Sequence, residues 1–168
     1  MKVILYMAMT ANGMIATRDD DTSWVSKEEW KSYSITVLHA GCLVVGRKTY
    51  DVMVKESEFV KLKDVFVVVV SHQDVEMVDP MHKVAHTPQE ALQLLIDYPE
   101  VIVGGGGHLN SAFLKEKLID EMYLDVEPKL IGDGIRLFED LDNDYQLVLL
   151  DTKNISPNVV QLHYKVAK

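Results

Sequence analysis

Three short runs of this sequence are apolar without alternation: Val3 to Met9, Cys42 to Val45 and Val65 to Val70. A strand with one wet face alternates apolar and polar residues. Unbroken apolar runs of this length point instead to strands buried on both faces, as in a parallel sheet covered by helices. Val101-Ile102-Val103 is a fourth candidate, and Met122-Tyr123-Leu124 opens a fifth. Helical signals fall between them. Ser26-Lys27-Glu28-Glu29 is a capping box, with Trp30, Tyr33, Val37 and Leu38 behind it at helical spacing. Thr87-Pro88-Gln89-Glu90 is a second box with proline at the first helical position, followed by Leu92, Leu95 and Ile96. Leu109, Ala112, Phe113 and Leu118 mark a third helix. From Tyr145 onward, Gln146 to Asp151 and Val159 to Val166 read as strands joined by Asn154-Ile155-Ser156-Pro157-Asn158. The order predicts an α/β fold of three layers, αβα, with a mostly parallel central sheet ending in an antiparallel hairpin. Its 168 residues suit a single domain, 1–168.

Charge and composition remove several classes of function. A formal net charge of -9 denies the chain the basic field that a nucleic-acid partner requires. An anionic ligand would therefore need a local cluster of donors. Cys42 is the only cysteine and lies in an apolar run, which predicts an inert buried thiol rather than a nucleophile or part of a metal site. His82 and His86 are bracketed by Pro80 and Pro88 without accompanying carboxylates or thiols, so no metal centre is expected there. The apolar start, Met1 to Met9, runs straight into the turn Thr10-Ala11-Asn12-Gly13 and reads as a strand rather than a secretion signal. No run approaches the roughly 20 apolar residues of a membrane span. A soluble, cytoplasmic protein is expected.

The strongest local signal is Val101-Ile102-Val103-Gly104-Gly105-Gly106-Gly107-His108-Leu109-Asn110, four glycines between a strand and a helix. Without Cβ atoms the backbone admits a close ligand, and the helix start offers unpaired N–H groups to a diphosphate. Four glycines in a row also carry an entropic cost that a simple turn does not explain. The turn matches neither G-x-G-x-x-G nor a P-loop. Val44-Val45-Gly46-Arg47-Lys48-Thr49-Tyr50 is a second strand-to-helix turn, where two cations and a hydroxyl join the helix N–H groups as phosphate donors. Open α/β sheets bind ligands at the carboxyl ends of such strands. Ser71 and His72 close another strand, where they could reach an adenosine phosphate or simply cap a loop.

At these residues the chain resembles the dihydrofolate reductase-like superfamily, and most of all the reductase of riboflavin biosynthesis, the C-terminal domain of the bifunctional deaminase-reductase, in a short single-domain form. Met9 to Thr17 is similar to that family's opening strand and turn, with Asn12-Gly13 in place of the usual Asp-Gly. Thr22-Ser23-Trp24-Val25-Ser26 is similar to its substrate-side segment. Gly105 to Asn110, Leu118-Ile119-Asp120-Glu121, Pro128 to Gly134 and Leu137-Phe138 follow in the family's order.

The resemblance implies an NADPH-dependent oxidoreductase that transfers hydride to a small heterocycle. Ala8 and Ile15 would meet the nicotinamide carboxamide through their backbone. Gly46 to Thr49 and the glycine turn, from Gly104 through Gly105, Gly106, Gly107 and His108 to Leu109, would grip the diphosphate. Arg47, Lys48, Ser71 and His72 would read the 2′-phosphate. Substrate would lie near Trp24, Ser26, Glu29 and Tyr33, with Glu29 as the catalytic carboxyl where the folate enzymes carry their acid. Glu29 also serves the capping box. Two reductions compete, that of 5-amino-6-(5-phosphoribosylamino)uracil and that of a dihydrofolate or pterin, beside a silent NADP-binding module. Asp125 replaces the threonine expected of a folate enzyme. Tyr50 to Lys55 replaces the riboflavin enzymes' longer segment, with its Asp-Asp-Pro and basic residue, and no deaminase half is expected in the single-domain form. Relatives pair as homodimers, for which Val159, Val160, Leu162 and Tyr164 of the hairpin are the candidate surface. The segment Thr17 to Ser23, with three aspartates, reads as a solvated lid.

Overall fold

In the computed structural model, which describes residues 1–167, the apolar runs form one eight-stranded sheet in the order β5-β4-β3-β6-β1-β7-β10-β9. Strands β1 (Lys2–Thr10), β3 (Cys42–Gly46), β4 (Phe66–Val70), β5 (His82–Ala85), β6 (Glu100–Val103) and β7 (Glu121–Glu127) are parallel. The final strands β9 (Leu147–Ser156) and β10 (Val159–Val166) form a hairpin, and β10 joins β7 antiparallel. A small antiparallel pair, β2 (Met14–Thr17) and β8 (Gly134–Arg136), lies apart from the main sheet.

Because the central strands are covered on both sides, successive residues feed two different cores. Val3, Leu5, Val44, Val68, Val101 and Val103 pack with Ala91 and Leu95, around α3 (Pro88–Leu94), and with Leu109 and Phe113 of α4 (Gly107–Lys115). Ile4, Tyr6, Leu43, Val45, Val67 and Ile102 pack with Tyr33 and Val37 of α1 (Lys27–Ala40) and with Tyr50 and Met53 of α2 (Arg47–Lys55). The three-layer αβα fold with a mostly parallel sheet and a closing hairpin is therefore the one expected.

The differences are local. Strand β5 escapes the sequence pattern because a four-residue edge strand with His82 and Lys83 shows no apolar run. His82 is nonetheless buried, its Nδ1 2.8 Å from the Tyr50 hydroxyl. Helix α4 ends at Lys115, so Leu118 lies beyond it, and Ile96 follows α3 as an exposed residue. Asn154, Ile155 and Ser156 extend β9, leaving only Pro157-Asn158 as the hairpin turn. Val159 belongs to the core, while the exposed apolar residues of the hairpin are mainly Val148, Leu149 and Leu150 on the edge strand β9. The segment after Thr17 is folded on itself: Thr17 Oγ1 donates to Asp19, and Ser23 N–H and Oγ both donate to the Asp21 carboxylate.

Candidate active site

Neighbouring strands β3 and β6 each end in a turn that opens a helix, α2 on one face of the sheet and α4 on the other. The two turns are joined by backbone hydrogen bonds, Gly46 N–H to Gly105 O at 2.7 Å and Gly104 N–H to Val44 O at 2.8 Å. Gly46 and Gly106 stand at the N-caps of α2 and α4 and offer no capping side chain, whereas Ser26 and Thr87 cap α1 and α3. Two sets of first-turn N–H groups thus converge without side-chain acceptors, an arrangement that favours an anion through both hydrogen bonding and the helix dipoles.

The glycine run has a mixed explanation, which corrects the reading that a simple turn leaves it unexplained. A Cβ on Gly104 would come within 2.6 Å of the Tyr33 hydroxyl, one on Gly105 within 2.6 Å of Met7 Sδ, and one on Gly107 within 2.5 Å of Arg136 O. These three glycines are demanded by close packing. Gly105 also has φ +92°, a left-handed conformation suited to glycine. Gly106 differs: its nearest neighbour would be Thr49 Oγ1 at 3.4 Å, on the opposing turn. Gly106 and Thr49 therefore face one another across the two turns.

The other candidate cofactor residues surround this pair unevenly. Arg47 and Lys48 are exposed, with Arg47 Nη1 3.2 Å from Asp51 and Lys48 Nζ 4.0 Å from Asp20. Both pairs are solvent-screened and easily exchanged for a phosphate. Ser71 Oγ is engaged by its own loop, donating to Gln73 O and accepting from Gln73 N–H, while His72 is exposed. His108 points to Asp140, Nδ1 to Oδ2 2.7 Å, so its backbone rather than its ring belongs to the α4 start. Leu109 and Ile15 are buried, and Ala8 pairs with Asp125 across β1 and β7.

On the α1 side the structure assembles a buried acidic group. Glu29, Asp125 and Glu127 are 3%, 0% and 4% exposed. Ser26 caps α1, its Oγ accepting from Glu29 N–H at 3.2 Å, and its own N–H donates to Glu127 Oε1 at 2.9 Å. Asp125 Oδ2 accepts from the Tyr6 hydroxyl at 2.9 Å; the Tyr6 oxygen in turn receives Gln161 Nε2 at 2.9 Å and lies 2.9 Å from Ser32 Oγ on α1. Burial, then the charges of Asp125, Glu127 and Glu58, push the Glu29 carboxyl up to about 9. Burial also lifts Asp125 to about 6 and Glu58 to about 7. The Glu29 carboxyl is thus raised above that of Asp125, a separation between two carboxyls that suits proton donation by Glu29. Tyr33 packs edge-on to Tyr6, with 5.4 Å between ring centroids, and its hydroxyl abuts Gly104, linking the acidic group to the glycine turn. Trp24 is half-buried, its Nε1 donating to Asp21 O at 3.2 Å.

Tyr6, Gln161 and Glu127 were not legible as site residues. Asp125 and Glu127 carried a usable signal, since two acids with period-two spacing in a central strand face the same side. Their partners, Tyr6 on β1 and Ser26 at the start of α1, lie more than a hundred residues away in sequence. Among the described residues no group of three or more His, Cys, Asp or Glu side chains is placed to hold a metal ion.

Comparison with known proteins adds the lineage. The family model of the RibD C-terminal domain matches residues 1–161. The chain belongs to that family. It is 28% identical over 169 residues to the uncharacterized Bacillus subtilis (strain 168) protein YwjB, covering 97% of each chain. Its fold matches the crystal structure of a riboflavin biosynthesis protein from Shewanella sp. PV-4, called putative, with a TM-score of 0.83 and 23% identity over 100% of both chains. It also matches the diaminohydroxyphosphoribosylaminopyrimidine deaminase/5-amino-6-(5-phosphoribosylamino)uracil reductase of Thermotoga maritima, TM-score 0.73 and 16% identity, covering 99% of this chain and 56% of that one. Membership in a reductase family and the α/β architecture agree with one another. No helix among the described residues is long and apolar enough to cross a membrane.

Proposed function

We propose that this RibD C-terminal domain is an NADPH-dependent reductase that transfers hydride to a small heterocyclic substrate, of the type reduced in riboflavin biosynthesis. The observation that carries the reading is the paired, uncapped starts of α2 and α4, tied together by Gly46 N–H and Gly105 O. The residues fit the cofactor. Gly106 leaves a cradle opposite Thr49, the backbone of Gly46 to Thr49 and of Gly105 to Leu109 would hold the diphosphate, and the backbone of Ala8 and Ile15 would hold the carboxamide. When bound, the cofactor supplies a hydride. The chain supplies orientation, exclusion of water and a proton. Glu29 would give that proton to the substrate nitrogen as the adjoining carbon gains the hydride, and would recover it from solvent.

Arg47 and Lys48 would recognise the 2′-phosphate that distinguishes NADPH from NADH. Arg47→Ala combined with Lys48→Ala is expected to weaken NADPH by roughly tenfold or more and to leave NADH nearly unchanged. Calorimetric titration of both cofactors checks this, and equal losses for the two would contradict the assignment. The place of the buried Glu29, where the resemblance puts the acid of the folate enzymes, favours a second reading, reduction of a dihydrofolate or pterin. Following NADPH oxidation with dihydrofolate and with the ribosylamino-pyrimidine phosphate in separate assays discriminates the two. Binding with neither turnover would favour a silent NADP-binding module.

A further inference from the structure

Helix α1 is pinned to the sheet at two points. At its start, Ser26 N–H donates to Glu127 Oε1 at 2.9 Å. Six residues on, Ser32 Oγ lies 2.9 Å from the Tyr6 hydroxyl, which is itself bound to Asp125 Oδ2. Glu29 is three residues from each, about 4.5 Å along the helix axis either way. Asp125 and Glu127 point to the same face of β7, roughly 6.6 Å apart along the strand. Glu29 therefore lies over the interval between the two strand carboxylates. Glu29 is 3% exposed, and among the described residues Asp125 Oδ1 is buried without a hydrogen-bond partner. On the other side, Tyr6 is locked by Gln161 from β10.

We propose that Asp125, fixed by Tyr6 and Gln161, is a positioning residue whose carboxylate keeps the transferable proton on Glu29. The inference rests on the reading of Glu29 as proton donor. As the substrate carbon of a C=N bond gains the hydride, the π pair moves onto nitrogen and forms a bond to the Glu29 proton, and the Glu29 O–H bond breaks to leave a carboxylate. A buried anion beside Asp125 is the disfavoured state, so the same pair that retains the proton at rest ensures its prompt recovery from solvent. The charged and titratable groups facing Glu29 are Asp125 and Glu127 from β7, Glu58 from the short helical turn at 58–60, Tyr6 from β1 and Tyr33 on its own helix; Lys153 of β9 acts on Asp125. Only Asp125 is held by a phenol that also ties the sheet to α1, which is why the role falls to it.

The test needs neither cofactor nor substrate. The chain is labelled with glutamate carrying 13C at the carboxyl carbon, the Glu29 resonance is assigned by its absence in Glu29→Gln, and its pH midpoint is read in the parent protein and in Asp125→Asn. We expect a midpoint far above the ordinary glutamate range that falls by about one pH unit or more in Asp125→Asn. A midpoint unchanged in a folded Asp125→Asn would overturn the proposal. Should that variant not fold, Asp125→Thr carries the same expectation. A merely structural role for Asp125 would alter stability and leave the Glu29 midpoint in place. NADPH titration of the same samples reports separately on the cofactor reading, so either idea can fail alone.

Discussion

Glu29 carries two duties that a sequence motif does not separate. Its backbone N–H completes the cap from Ser26, while its carboxyl is buried among other acids. The second duty has a consequence for stability. Glu29 is raised from 4.5 to about 9 in the folded protein. Between those values the folded state holds a proton that the unfolded chain has released. Its contribution to stability is therefore complete below about pH 4.5 and lost as pH rises through about 9, at no more than roughly 1.4 kcal/mol per pH unit. Glu29→Gln removes that dependence, so its melting temperature should decline less than that of the parent from pH 6 to about 9. Parallel decline of the two proteins would show that Glu29 is not buried as an acid. At this scale the glycine run was visible in the sequence but its meaning was only partly so. Contacts of Gly104 with Tyr33, and of Gly107 with Arg136 O, arise between distant segments and leave no local trace.

Elements were legible where their signal is local or apolar. The two capping boxes located the starts of α1 and α3 because the cap is written in four consecutive residues. The buried parallel strands declared themselves by their unbroken apolar runs, and β5 did not, since an edge strand with one covered face needs few apolar residues. The end of β9 was missed for a related reason: Asp151 to Asn154 are exposed, so nothing apolar marks the strand. Helix α1 matters most to the site, because it carries Glu29 and the hydroxyl of Tyr33 that touches Gly104. Ser26→Ala should cost about 1 kcal/mol through the lost cap, a fall of roughly 2–4 °C in Tm for a chain of this size. Thermal unfolding followed by circular dichroism measures it, and no change in Tm would mean that the Glu127 contact alone sets the start of α1.

At the scale of the whole molecule, the candidate site sits at the carboxyl edge of the sheet, where β3 and β6 deliver the two helix starts and β7 delivers the carboxylates. The opposite concern is the open edge at β9, a ten-residue strand that exposes Val148, Leu149 and Leu150. Long apolar edges of this kind are normally covered. A second copy of the chain is the occupant we propose, and Leu149→Lys should then convert a dimer to a monomer in sedimentation velocity; a monomeric parent protein would contradict the proposal. The central claim concerns the two glycine-lined turns, and calorimetric titration of NADPH into the parent protein and Gly106→Ala tests it most directly. The account predicts saturable one-to-one binding to the parent, and a loss of about tenfold or more in Gly106→Ala with the fold intact, because the added methyl group enters the cradle opposite Thr49. No binding to the parent, or undiminished binding to a folded Gly106→Ala, would contradict it.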